Sequence, residues 1–502
     1  MMEYRKLQNG SDIRGVAMEG IEGQPVSLTE EAVENIAKAF VLYLQEKFNK
    51  SELRLSIGRD SRLSGERLLS SAAKGILEMG ADLADFGLAS TPSMFMSTVT
   101  KGYEYDGAIM LTASHLPWNR NGIKFFTRDG GLEKSEISSI LARAQENAFI
   151  PTAERGKLTK VDFLSVYAAG LVETIRSSVN AADYEHPLKG FHIVVDTGNG
   201  AGGFFASRVL QPLGADTTGS QFLEPDGHFP NHAPNPEDET AMEAVTKCVL
   251  DNKADMGVIF DTDVDRAGAV AADGKEINRN RLIALIAAVL LEEHPGTTIV
   301  TDSITSSGLA AFIAAQGGVH HRFKRGYKNV IDEAIRINNS GRDCQLAIET
   351  SGHGALKENY FLDDGAFLIT KLVIKMAQLK KEGRTLFSLI DSLAEPAEST
   401  EVRMNLSCAD CQAYGNGILR DLGEYAVSQG WDVAKENYEG LRVSFGMGEG
   451  DGWFLLRMSL HDPLMPLNIE SNSTGGVHAI AQKLYAFLSP YDKLDTSALK
   501  NV

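Results

Sequence analysis

The run Ala108-Ile109-Met110-Leu111-Thr112-Ala113-Ser114-His115-Leu116-Pro117 sets a short apolar stretch against a compact polar loop. An unbroken apolar run of this length reads as a buried strand, and the loop places a hydroxyl and an imidazole where that strand ends. Serine is a poor nucleophile at its free pKa, so chemistry at Ser114 needs an adjacent base, a metal or an installed reactive group. Alone, a Ser-His pair at a strand end is more often a turn. The pattern recurs: Met256-Gly257-Val258-Ile259-Phe260 runs into Asp261-Thr262-Asp263-Val264-Asp265-Arg266, and Cys344-Gln345-Leu346-Ala347-Ile348 opens into Glu349-Thr350-Ser351-Gly352-His353. Strands that repeatedly end in such loops indicate open α/β sheets, in which ligands bind beyond the strand ends.

In an extended segment alternate side chains point the same way, so Asp261, Asp263 and Asp265 are expected to converge on one face. Carboxylates held together repel unless a cation neutralises them, and an all-oxygen set suits a hard ion such as Mg²⁺. The competing reading is a solvated acidic loop.

At 502 residues the chain exceeds what one core supports, and three or four domains are expected. An apolar content of 43% with 48 glycines favours a globular α/β protein. The net charge of −18 argues against nucleic-acid partners, whose surfaces need clustered Lys and Arg. No stretch approaches the roughly 20 apolar residues that span a bilayer, and the aliphatic run 282–291 reads as a buried helix. With no basic segment followed by an apolar core near its start, the chain is expected to be cytoplasmic, or stromal in an organelle if a transit peptide has been removed. Cys248, Cys344, Cys408 and Cys411 make no disulfide framework and suit a reducing compartment. Cys408-Ala409-Asp410-Cys411 has redox or zinc spacing, but no second pair or histidine tract accompanies it.

Strands are predicted at 53–57, 81–86 and 192–195, with a helix that Ser64 caps between the first two and another over 161–177. Repetition of strand and helix gives mostly parallel sheets covered by helices. After the polar turn Asp273-Gly274-Lys275 a third unit begins. Residues 395–400 read as a linker to a C-terminal part of different pattern, with strands at 441–445 and 453–458.

With these loops stand Gly10-Ser11-Asp12-Ile13-Arg14-Gly15, Gly58-Arg59-Asp60-Ser61-Arg62, Asp196-Thr197-Gly198-Asn199-Gly200-Ala201-Gly202, Asp226-Gly227-His228-Phe229-Pro230-Asn231-His232 and Arg457-Met458-Ser459. In this order they resemble the motifs of the α-D-phosphohexomutases, the superfamily of phosphoglucomutases, phosphomannomutases and phosphoglucosamine mutases, over nearly the whole chain. The resemblance implies four domains around a central cleft: three related α/β domains with mostly parallel sheets, at 1–158, 159–275 and 276–394, and a distinct α+β domain at 395–502. It implies an isomerase that interconverts hexose 1- and 6-phosphates with Mg²⁺ and a hexose 1,6-bisphosphate as activator and intermediate. Hinge motion of the last domain is expected, since the intermediate must turn around.

By the same resemblance Ser114 is the phosphoserine, which joins Asp261, Asp263 and Asp265 in binding the metal. Lys124 or His115 moves the hydroxyl proton, and Arg14 stabilises the transferring group. Arg266 orients the carboxylates, Tyr327, Glu349, Ser351 and His353 face the sugar, and Arg457 and Ser459 hold the non-reacting phosphate, to which His461 is expected to add a donor in place of a hydroxyl the family has there. Three places depart from the pattern, one of them Tyr327, where relatives vary between histidine, tryptophan and acidic residues and which tends to follow sugar preference. Leu116 stands where the family has asparagine, removing a side-chain hydrogen bond that shapes the turn. Leu460-His461-Asp462 replaces a small residue, a threonine and a glutamate. A non-catalytic sugar-phosphate sensor and a phosphohydrolase using Asp261 are the competing readings, and the sequence leaves the sugar open, with glucose favoured over mannose and glucosamine.

Overall fold

The computed structural model describes residues 3–459 and 462–502. Three α/β/α domains are followed by a C-terminal domain built on a separate sheet. By internal contact the chain forms two compact units, residues 1–289 with 351–389 and residues 290–350 with 390–502.

In the first unit, strand Gly107–Leu111 runs parallel to Arg54–Arg59 and antiparallel to Arg120–Thr127, with Met110 opposite Lys124. Every residue of that strand is buried, as an apolar run flanked on both sides requires. Helix Glu30–Phe48 lays Ile36, Phe40 and Leu44 over Leu55, Ile57 and Ile109. Thr29 caps it by accepting the Ala32 amide, and left-handed Asn49 ends it. Gly107 lets the helix side chains pack closely, since a Cβ there would lie 2.7 Å from Leu44 Cδ1.

The second sheet pairs Met256–Phe260 in parallel with Ile193–Asp196 and antiparallel with Ala267–Ala271. Parallel ladders thus carry the loop-bearing strands while antiparallel ladders extend the sheets, and the sheets are mixed. The Phe260–Ala267 pair closes residues 261–266 into a hairpin loop. The three aspartates therefore converge through a turn, not through strand alternation. Val264 takes a left-handed φ of 67° there, and its carbonyl accepts the Gly365 amide at 3.0 Å. A β-branched residue in that region is strained, so tertiary contact and not local preference fixes the loop.

In the second unit, Thr298–Thr301 lies between and parallel to Val319–Arg322 and Cys344–Ile348. The last sheet is antiparallel throughout, in the order Glu398–Asn405, Leu464–Ser471, Gly452–Leu456, Leu441–Phe445, Asp432–Val433. Residues 398–400 of the expected linker are already strand. Their strand lies at the sheet edge, with Ser399, Glu401 and Arg403 exposed to water while Val402 and Met404 turn inward. The run 282–291 is buried within helix Arg279–Glu293. Among the described residues no helix is long and apolar enough to cross a membrane.

Candidate active site

Ser114 is buried just past its strand and takes a left-handed φ of 48°. Its amide donates to Thr112 Oγ1 at 2.9 Å, which closes the turn. Arg62, wholly buried, laces the rest of the loop: Nη1 donates to the carbonyls of Pro117 (2.8 Å) and Arg120 (3.0 Å), and Nη2 to those of Leu116 and Ser114. Asp60 balances this guanidinium, with Oδ2 at 3.3 Å from Nε and Oδ1 accepting the Arg62 amide at 2.9 Å. The turn that lacks an asparagine at Leu116 is thus shaped from outside. Phe229 places its ring 5.3 Å from Arg62, and a Cβ on Gly227 would strike the Ser61–Leu63 backbone, so the motif at 226–232 braces this strut.

The Ser114 hydroxyl donates to Asp261 Oδ2 at 2.9 Å and accepts from Arg266 Nη2 at 2.5 Å. Arg266 also pairs with Asp261 through Nε (3.1 Å) and its backbone amide (3.2 Å), and reaches Asn235 Oδ1 at 3.2 Å. Lys124 Nζ sits 2.5 Å from Asp265 Oδ2 and 3.8 Å from Asp263 Oδ2. Among the described residues Asp261, Asp263 and Asp265 form the one group of three whose ligand atoms lie within 4.8 Å of one another. Burial and then the like charge of Asp265 and Asp263 push the Asp261 carboxyl well above the usual range, against the pull of Arg266. Burial acts on Asp265 too, but Lys124, His353 and Arg266 outweigh it and hold that carboxyl far below the range. The buried oxygens Asp263 Oδ1 and Asp265 Oδ1 have no hydrogen-bond partner. Acceptor oxygens left open within a cluster of three converging carboxylates fit a hard divalent cation.

His115 Nδ1 lies 2.5 Å from Arg266 Nη2 and 3.4 Å from Ser114 Oγ. Crowding strips hydration from its ring, and with the Arg266 and Arg14 charges it holds the imidazole below its ordinary range, though the residue keeps an exposed edge. Its Nδ1 thus faces the Arg266 donor beside the hydroxyl. Arg14 donates to the Thr112 carbonyl (2.5 Å) and Asp12 Oδ2 (2.8 Å) at the strand end. Ser351 and His353 join this group: Ser351 Oγ is 2.9 Å from His353 Nδ1, His353 Nε2 is 3.6 Å from Asp265 Oδ1, and Ala267 donates its amide to the Gly352 carbonyl.

The other expected residues belong to the second unit. Glu349 Oε1 accepts the Gly326 amide at 2.7 Å, immediately before Tyr327 opens the helix Tyr327–Asn339. Glu439 accepts from Ser303 Oγ (2.6 Å) and the Arg325 amide (3.1 Å) and stands 3.8 Å from Arg457 Nη1. Arg457 is buried with no hydrogen-bond partner at Nε, and burial lowers its pKa. Ser459 Oγ accepts the Asp462 amide at 3.2 Å. Leu460 and His461 lie outside the described residues.

Sequence reading missed the contacts of Arg62, Asp60, Asn235 and Glu439, although the first two stood in a quoted motif. All four cysteines are free, and the Cys408 thiol, hydrogen-bonded with Cys411, is pushed up to about 11, away from the thiolate that redox or metal chemistry uses.

A buried hydroxyl is thus held between a guanidinium and a carboxylate cluster at the strand ends of an α/β frame. The family described as phosphoglucomutase/phosphomannomutase matches through its alpha/beta/alpha domain I at residues 5–150, domain II at 167–274 and domain III at 278–396. A phosphoglucomutase/phosphomannomutase of Thermococcus kodakarensis is 30% identical over 478 residues, covering 93% of this chain and 95% of its own. A phosphoglucomutase of Neisseria gonorrhoeae is 28% identical over 488 residues, covering 96% and 97%. The crystal structure of a phosphoglucomutase/phosphomannomutase family protein from Burkholderia thailandensis superposes with a TM-score of 0.79 at 27% identity, covering 98% of each chain. The chain belongs to the phosphoglucomutase/phosphomannomutase family, and its activity is that of a phosphohexomutase, an isomerase.

Proposed function

We propose that the enzyme interconverts hexose 1-phosphate and hexose 6-phosphate through a phosphoserine at Ser114 and a hexose 1,6-bisphosphate intermediate, with glucose the favoured sugar and mannose or glucosamine next. One observation carries this reading: the Ser114 hydroxyl is hydrogen-bonded to Asp261 and Arg266 together, at 2.9 and 2.5 Å. The names of the relatives, phosphoglucomutase and phosphoglucomutase/phosphomannomutase, support glucose and mannose as substrates.

Asp261, Asp263 and Asp265, with an oxygen of phosphorylated Ser114, would hold Mg²⁺. Bound there, the ion supplies neutralising charge to the phosphoryl oxygens. The protein supplies the rest. Arg266 and Arg14 bring guanidinium charge to the developing negative charge around the transferring group. His115, whose Nδ1 lies 3.4 Å from Ser114 Oγ, and Lys124, held by Asp265, are the two residues of this group placed to carry the hydroxyl proton. Ser351 and His353 approach the same carboxylates. Glu349 and Tyr327 would read the sugar hydroxyls, and Arg457 and Ser459 would hold the phosphate that does not react. The Asp261 carboxylate is already engaged by Ser114 and Arg266, which weakens its claim as a phosphohydrolase nucleophile.

Phosphorus NMR tests the reading, with Mg²⁺, catalytic glucose 1,6-bisphosphate and the 1-phosphates of glucose, mannose and glucosamine in separate tubes. A 6-phosphate should appear, fastest from glucose. Free phosphate would establish a hydrolase, and unchanged spectra in all tubes a sensor.

A further inference from the structure

The carboxylate of Asp263 is gripped on one side only. Helix Thr91–Val99 begins where its first residue meets the aspartate loop: the Thr91 amide donates to the Asp263 carbonyl at 2.8 Å, and Thr91 Oγ1 donates to Asp263 Oδ2. Both residues are buried. The helix start is itself fixed, because Ser90 and Ser93 exchange hydrogen bonds in a capping box, so Thr91 has little freedom to follow the aspartate if it moved. Oδ2 is therefore occupied, while Oδ1 is buried with no hydrogen-bond partner.

We propose that Thr91 is a positioning residue for the metal: by holding the Asp263 carbonyl and Oδ2, it fixes the carboxylate so that Oδ1 is the oxygen presented to the cation. This rests on the metal reading of the aspartate cluster and adds to it which oxygen serves and what aims it. A free carboxylate can turn about its bonds and offer either oxygen or both. One tethered through Oδ2 and through its own backbone offers one, in one direction. Groups that orient metal ligands in this way typically contribute about 10- to 100-fold in metal affinity. Thr91 touches neither substrate nor metal and acts only through Asp263.

The test is calorimetric titration of the full chain with Mg²⁺, and with Mn²⁺ as a tighter-binding probe, without sugar phosphate. Thr91→Val preserves the branched shape and removes the donor, and Thr91→Ser restores the donor without the methyl group. The expected result is a dissociation constant raised about 10- to 100-fold in the valine variant and within about threefold of wild type in the serine variant. Thr91→Ala gives the same readout if the valine variant does not fold. Wild-type binding with valine or alanine variants that bind as tightly as wild type would overturn the proposal. So would a serine variant as weak as the valine one, which would show that packing and not the hydroxyl matters. Absence of binding by the wild type would instead overturn the metal reading on which it rests.

Discussion

Arg62 directs its guanidinium at the loop that carries Ser114, bonding the carbonyls of Ser114, Leu116, Pro117 and Arg120. A planar fork can span that set, whereas the single ammonium of a lysine cannot. Arg62→Lys keeps the charge opposite Asp60 and is expected to fold, but to lower kcat about 100-fold with KM nearly unchanged, since small misplacement of a reacting group costs about that much. Steady-state kinetics checks this, and a matching rise in KM would assign the residue to substrate binding instead. Ser114 and the aspartates were legible because reactive residue types followed directly on apolar runs. The roles of Arg62 and Thr91 were not, because their partners lie 52 and 172 residues away in the chain. No local pattern marks a side chain whose function is a distant backbone carbonyl or carboxylate.

Among the elements, helix Gly365–Lys381 is set by a single carboxylate. Asp364 accepts the Phe367 amide at 2.8 Å as N-cap, and takes the Tyr167 hydroxyl at 2.6 Å from helix Phe163–Val179 and the Asn359 amide at 3.0 Å. Burial raises this carboxyl to about 6 despite those donors. Because the folded value lies above the unfolded one, the stability associated with the protonated form is present below the unfolded pKa and lost as pH rises toward 6. Asp364→Asn should keep the cap and remove the titration. Its stability relative to wild type is expected to rise by on the order of 2–3 kcal/mol between pH 4 and 7, read from denaturant unfolding at each pH. A constant difference across that range would mean that Asp364 does not titrate there. The start of the same helix reaches the aspartate loop, where a Cβ on Gly365 would lie 2.7 Å from the Arg266 carbonyl. Helix Phe163–Val179 was readable to within a few residues, while Gly365–Lys381 was not read from the sequence. The hairpin closure of the aspartate loop was not, because left-handed Val264 runs against its own local preference.

For the whole molecule, a net charge of −18 coexists with the buried cationic groups Arg62, Lys124 and Arg266 and half-buried Arg14 around one hydroxyl. Composition alone pointed away from nucleic-acid partners, and these cations stand paired with carboxylates, Arg14 with Asp12, Arg62 with Asp60, Lys124 with Asp265 and Arg266 with Asp261. The order of the motifs disclosed the family frame, and the division of the chain at 289, 351 and 389 into two contact units was not visible in any motif. If the carboxylates hold an essential ion, treatment with a chelator should abolish mutase activity and added Mg²⁺ should restore it, with the circular dichroism spectrum unchanged. Activity that survives exhaustive chelation would remove the metal from the reaction. The central claim is that the phosphoryl group passes through Ser114, and phosphopeptide mapping by mass spectrometry after incubation with glucose 1,6-bisphosphate tests it most directly. One phosphoryl group should be found on Ser114 in the wild type and none in an inactive Ser114→Ala variant. Phosphate on Asp261, or full turnover by Ser114→Ala, would contradict it.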